Sequence, residues 1–133
     1  MQKREILFRG KRKDNGEWVE GFYYKAKYYS TDNKLCDYIT TPYPEECGRR
    51  SDHFIIDPET RGEYTGLTDK NKKKVFEGDI LYDEYNECNC LVTFDEGSFC
   101  TVEDNVCQSI WSCDMTTFEV IGNIHDNPEL IKE

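Results

Sequence analysis

The stretch Gly62-Glu63-Tyr64-Thr65-Gly66-Leu67-Thr68-Asp69-Lys70-Asn71-Lys72-Lys73-Lys74-Val75-Phe76-Glu77-Gly78-Asp79-Ile80 constrains this chain more than any other. Two short apolar runs, Tyr64 to Leu67 and Lys74 to Phe76, flank a polar turn. A second turn, Glu77-Gly78-Asp79, then launches Ile80-Leu81-Tyr82. Apolar runs of three or four residues are too short for helices, and glycine-punctuated turns between them predict antiparallel hairpins closing into a small β-barrel. Nothing in the stretch has the form of a catalytic or phosphate-binding motif.

The same grammar extends both ways. Ile6 to Gly10 and Trp18 to Tyr24 read as strands joined through Asp14-Asn15-Gly16, a strong hairpin signal because Asn and Gly both tolerate positive φ. Lys27 to Tyr29 and Asp37 to Thr40 are further strand candidates, while Pro42, Pro44, Gly48 and the charged run Glu45 to Arg50 predict an irregular loop within residues 25–52. His53 to Asp57 is a strand closed by Pro58, which removes a backbone donor. A domain boundary is expected here, with an N-terminal β region at 1–57 and a barrel at 58–133. In that barrel the turn before Ile80 is of the kind that opens strands in SH3-type barrels. Cys88 to Phe94 alternates, with Cys88, Cys90, Val92 and Phe94 on the expected buried face. Asp95 to Ser98 is a turn with Gly97 left-handed, and Phe99 to Val102 the return strand. Residues 103–110 fit either a short helix or a loop. Phe118 to Ile124 is a last strand, and Asn127-Pro128 predicts a terminal helical turn with Asn127 at its N-cap.

A chain of 133 residues can bury roughly two thirds of its unfolded surface. It is 33% charged, but nine Tyr, seven Phe and two Trp supply large buriable area, which predicts a folded chain. Seven cysteines (Cys36, Cys47, Cys88, Cys90, Cys100, Cys107, Cys113) follow an N-terminus without an apolar signal core, so reduced thiols in a cytoplasm are expected. No apolar run reaches the roughly 18 residues of a membrane span. The net charge of −10 is uneven: residues 1–27 hold eight Lys/Arg against four Asp/Glu, residues 77–133 one against fourteen. Nucleic-acid affinity draws on cations, so only the first 27 residues could supply it, and nucleic acid is an unexpected partner. Opposed charge could instead join subunits into a homo-oligomer.

No residue qualifies as catalytic, cofactor-binding or metal-ligating on spacing alone. Cys88-x-Cys90 is one residue too close for a zinc knuckle and would set its sulfurs about 7 Å apart on a strand. Cys100, Cys107, Cys113, His53 and His125 offer no matching pair, so the thiols are read as small buried hydrophobes. A nucleophile would have only His53 or His125 for its base, and no motif surrounds either. Asp83, Glu84, Glu87, Glu103 and Asp104 are expected to face water. Lys70-Asn71-Lys72-Lys73-Lys74, among Asp69, Glu77 and Asp79, reads as a solvated hairpin tip. Tyr23-Tyr24 and Tyr28-Tyr29, interleaved with Lys25 and Lys27, suit core or interface packing.

Several blocks together resemble the YopX family of phage and prophage proteins: Phe8-Arg9-Gly10-Lys11 with Gly16-Glu17-Trp18-Val19, Tyr64-Thr65-Gly66-Leu67 with Asp69-Lys70-Asn71, Glu77-Gly78-Asp79-Ile80, and Glu119 to Ile124 before Asn127-Pro128-Glu129-Leu130. The match runs end to end in the family's order. The resemblance implies a mainly β protein with a C-terminal SH3-type barrel, carried by a bacterial virus or integrated prophage and acting in the host bacterial cytoplasm, and it brings no catalytic residues. Where relatives show Asp-Lys-Asn-Gly, this chain has Lys72, so Asn71 is expected to take the left-handed conformation. The functional expectation is a non-enzymatic accessory protein that binds a host or phage protein, or itself. Two alternatives are an acidic nucleic-acid mimic in residues 77–133 and nucleic-acid binding through residues 1–27.

Overall fold

The computed structural model describes residues 5–27, 34–41 and 52–131, which divide into two compact units, Glu5–Glu63 and the stretch from Tyr64 onward. Tyr28, Tyr29, Cys47 and the proline-containing loop expected at 42–50 lie outside the described residues. The chain is mainly β, the pairings among the described strands are antiparallel, and no described helix is long and apolar enough to cross a membrane.

The first unit is a sheet of β1 (Phe8–Lys11), β2 (Trp18–Lys27), β3 (Leu35–Thr41) and β4 (Asp52–Ile55) in the order β4-β3-β2-β1. The start of β5 (Gly62–Thr68) pairs with β1 through Phe8↔Glu63 and Arg9↔Gly62. The predicted β1–β2 hairpin is present, but its turn is wider than two residues. The Arg12 N–H donates to the Glu17 carbonyl and the Gly16 N–H to the Arg12 carbonyl, both at 2.9 Å. Of the turn residues Gly16 takes the left-handed conformation (φ 74°) and Asn15 does not; the Asn15 side chain accepts from the Glu17 N–H instead. Strand alternation sets Tyr23, Ile39 and Phe54 in register on one face, with Ile39 and Ile56 fully buried. It sets Tyr24, Tyr38 and Ile55 on the other. Pro58 ends this run as expected: Asp57 caps a 3₁₀ turn (Pro58–Thr60), and Thr60 Oγ1 accepts the Lys11 N–H at 2.8 Å.

In the second unit the rest of β5 pairs with β6 (Lys74–Phe76). A five-stranded sheet follows, built of β7 (Asp79–Asp83), β8 (Cys88–Asp95), β9 (Ser98–Glu103), β10 (Val106–Ser109) and β11 (Phe118–Asn123) in the order β10-β9-β8-β7-β11. The sheet is open, with β10 and β11 at its edges. Val75, Leu81, Cys90, Val92, Phe99, Ile110 and Phe118 form its core. On β8 the predicted inward face holds for Cys90 and Val92, whereas Cys88 is half-buried and Phe94 is 50% exposed, resting edge-on against Phe99.

Two tight turns shape this sheet. Glu96-Gly97 (φ 49° and 80°) confirms the left-handed Gly97. Asp104-Asn105 (φ 48° and 66°) makes residues 103–110 a second hairpin rather than a helix or an unstructured loop, because consecutive positive-φ residues match the right-handed strand twist. At the C-terminal end Asn127 does not cap with its side chain. Its Oδ1 accepts the Asn123 N–H, while its carbonyl accepts the Leu130 N–H and starts the 3₁₀ turn Pro128–Ile131.

The β5–β6 turn corrects the reading of Asn71. Lys72, not Asn71, is left-handed (φ 65°). Lys72→Gly removes a strained Cβ and is expected to stabilise the chain by about 0.5–1 kcal/mol, a rise in urea midpoint at unchanged slope.

Candidate functional site

Two surfaces collect the polar and aromatic side chains. On the first unit a groove of about 550 Å³ is lined by Tyr38, His53, Phe54 and Ile55 together with Arg12 and Lys13 of the β1–β2 turn. Of its two cations, Arg12 is engaged. Arg12 lies 4.3 Å from the Phe54 ring centre and holds both Asp14 oxygens, which raises its own affinity for the proton and lowers that of Asp14. Nearby, Arg9 and Lys11 stack on Trp18 at 4.8 and 5.5 Å.

His53 accepts or donates at Nδ1 to Tyr24 Oη (2.7 Å) and Thr40 Oγ1 (3.1 Å). A hydroxyl beside an imidazole is the start of a nucleophile–base pair, but such a pair needs a third group to orient the ring. No carboxylate engages His53 among the described residues. Thr40 and His53 are direct cross-strand partners, so strand pairing alone accounts for their contact. Tyr23 hydroxyl acidity is weakened by burial first and then by its hydrogen bond to Asp37.

The second surface is formed by three segments of the second unit. The β7–β8 turn brings Tyr85 and Asn86, β10 brings Gln108, and the 3₁₀ turns Ile110–Ser112 and Met115–Thr117 bring Ser112 and Thr117, with Asp114 between them. They enclose a groove of about 300 Å³. A neighbouring groove of about 260 Å³ shares Asn86 and Gln108 and adds Glu103, Asp104 and Val106. Tyr85 (85%), Val106 (67%) and Trp111 (56%) are unusually exposed for large apolar side chains. The charge is one-sided: residues 77–131 contain no Lys or Arg. The Asp114 carboxyl is held below its usual range by the Thr116 hydroxyl and N–H.

Asp83, Cys88 and Glu103 meet at one corner of the sheet, with one donor atom each lying within 4.8 Å of the others. Burial pushes the Cys88 thiol up to about 12, helped by its hydrogen bond to Glu103, and burial does the same for Cys90. Cys100 rises to about 11 through its hydrogen bond with Cys107 and then burial. Thiols held this high are protonated at neutral pH and make poor nucleophiles.

The expectation that the carboxylates face water is corrected at Asp83, which is 4% exposed and accepts from the Tyr85 and Asn86 N–H groups. Glu103 is half-buried, whereas Glu84, Glu87 and Asp104 are exposed. Of the thiols, Cys90 and Cys100 are buried, Cys36, Cys88 and Cys113 half-buried and Cys107 exposed. The basic run is exposed at Lys72 to Lys74, while Lys70 pairs with Glu84 and lies 3.9 Å from Glu119. Tyr85 and Gln108 carried no signal in the sequence, since each comes from a different segment and only the strand pairing brings them to one groove.

These features define a two-unit antiparallel β protein with grooved surfaces. A family model described as YopX protein matches residues 7–132, and the chain belongs to the YopX family. Among solved structures it is similar to protein EF1440 from Enterococcus faecalis, at 25% identity and a TM-score of 0.55, over 98% of this chain and all of that one. No curated protein matches it.

Proposed function

We propose that this protein is a non-enzymatic binding module, a phage or prophage accessory protein of the host cytoplasm, whose second unit takes an extended cationic peptide of another protein or of a second copy. The groove bounded by Tyr85, Gln108, Ser112 and Asp114 carries the reading. It offers an exposed ring beside the Asp83 and Asp114 carboxylates, with no cation among its lining residues, the complement of a Lys- or Arg-bearing peptide. An SH3-type description of this unit is supported by its strand order, in which the last strand, preceded by 3₁₀ turns, returns to pair with the first. In such modules the loops at that end do the binding.

The nucleic-acid readings have less support. Glu84, Glu87, Glu103 and Asp104 cap one end of the strands and Asp95, Glu96 and Asp126 the other, so the carboxylates form no single duplex-like row. In the basic N-terminal segment Arg9, Lys11 and Arg12 are stacked on Trp18 and Phe54.

Titration of labelled Lys/Arg-rich extended peptides, followed by two-dimensional NMR, tests the proposal. Shifts are expected at Tyr85, Gln108 and Trp111, salt should weaken binding, and Tyr85→Ala is expected to reduce affinity about tenfold or more, about 1.4 kcal/mol. Binding that is absent, or unchanged in both Tyr85→Ala and Trp111→Ala, would remove the proposal.

A further inference from the structure

The corner where β7 ends, β8 begins and β9 ends has the makings of a metal centre. Asp83 and Cys88 are register partners, and Glu103 reaches them from β9. The three donor atoms lie within 4.8 Å of one another, where a tetrahedral ion with bonds of about 2.0–2.3 Å asks for about 3.5 Å, a difference that side-chain rotation covers. The Asp83 carboxylate is fixed in place by the Tyr85 and Asn86 N–H groups and the Asn86 amide, the kind of outer support that orients a ligand.

A second observation is independent of that spacing. Asp83 is almost fully buried, and no Lys or Arg forms an ion pair with Asp83 or Glu103 among the described residues, so two carboxylates and a thiol share this corner without a protein cation paired to them. One more thiol, Cys90, lies two residues along the same strand and interacts electrostatically with all three groups. Access exists as well: Asp83 lines one groove of this unit and Glu103 the next.

We propose that Asp83, Cys88 and Glu103 bind a thiophilic divalent cation of the zinc class. Binding replaces the Cys88 S–H bond by a sulfur–metal bond and releases one proton to solvent, and the fourth position stays open to water or a groove ligand. The proposal does not depend on peptide binding. Spacing along the chain concealed the site because its ligands come from three strands and not from one knuckle.

Titrating the reduced, chelator-stripped full chain with Co²⁺ tests it. One equivalent should produce a thiolate-to-cobalt charge-transfer band that Zn²⁺ abolishes. Cys88→Ser should lose the band and Glu103→Gln should weaken binding at least tenfold, while Cys107→Ser and Tyr85→Ala keep it. No band, a band that survives in Cys88→Ser, or one lost in Cys107→Ser would overturn the assignment. Should Cys88→Ser fail to fold by circular dichroism, Glu103→Gln decides, and unchanged affinity there overturns it.

Discussion

Asp69→Ala is expected to lower the unfolding free energy by about 3–5 kcal/mol, the larger part of what a domain of this size has to spare. The Asp69 side chain is 5% exposed and satisfies three backbone donors: Oδ1 accepts the Asn71 and Lys73 N–H groups at 2.8 and 2.9 Å, and Oδ2 accepts the Val120 N–H at 2.9 Å. One carboxylate therefore shapes the β5–β6 turn and pins it to β11, fifty-one residues away. Alanine leaves those N–H groups without an acceptor, and each such loss costs about 1–3 kcal/mol. Asp69→Asn keeps one acceptor oxygen and should fall between. Burial alone would raise the Asp69 pKa, but the Val120, Lys73 and Asn71 donors and the Lys73 charge outweigh it, and the folded pKa lies below the usual one. Its contribution is thus complete above the unfolded value of about 3.9 and is lost as pH falls through the folded value. Urea melts should therefore show the wild type losing its advantage over Asp69→Ala in acid; equal midpoints at neutral pH would refute the account.

Gly21→Ala should be comparably damaging in the first unit, for steric reasons. A Cβ at Gly21 would stand 2.1 Å from the Thr40 carbonyl oxygen and 2.8 Å from its carbon, both main-chain atoms of the paired β3. Main chain cannot step aside without parting β2 from β3, so a cost of about 3 kcal/mol or more is expected. Gly10 gives the contrast. Its Cβ would meet Ile56 Cδ1 at 2.5 Å, the far end of a flexible side chain, so Gly10→Ala should cost less than Gly21→Ala. Thermal melts of the two variants would reveal the order, and a wild-type-like Gly21→Ala would contradict the argument.

Local chemistry made much of this fold legible. Asn15-Gly16, Glu77-Gly78 and Glu96-Gly97 mark turns because a left-handed residue is needed there, and Pro58 marks a stop because it has no N–H. What escaped the sequence depended on partners distant along the chain. Asp104-Asn105 carries no glycine, so its hairpin was indistinct until β9 and β10 paired. Asp83 looked like any other carboxylate in an acidic stretch, and its burial follows from the turn that its own oxygens hold. The candidate surfaces were the least visible of all. Tyr85 and Gln108 meet in one groove only after β7 to β10 have been laid side by side, and neither alternation nor motif spacing records that.

The open margin at β10 has one more implication. Val106, Cys107, Gln108 and Ser109 include neither a charge nor a proline, the devices that usually discourage one strand from zipping onto a neighbour's. Protection against such stacking must come from elsewhere, and the net charge of −10 is a source: like charge disfavours the approach of two such margins at neutral pH. Colloidal behaviour and strand architecture are tied together in this protein, and neutralising the first would expose the weakness of the second.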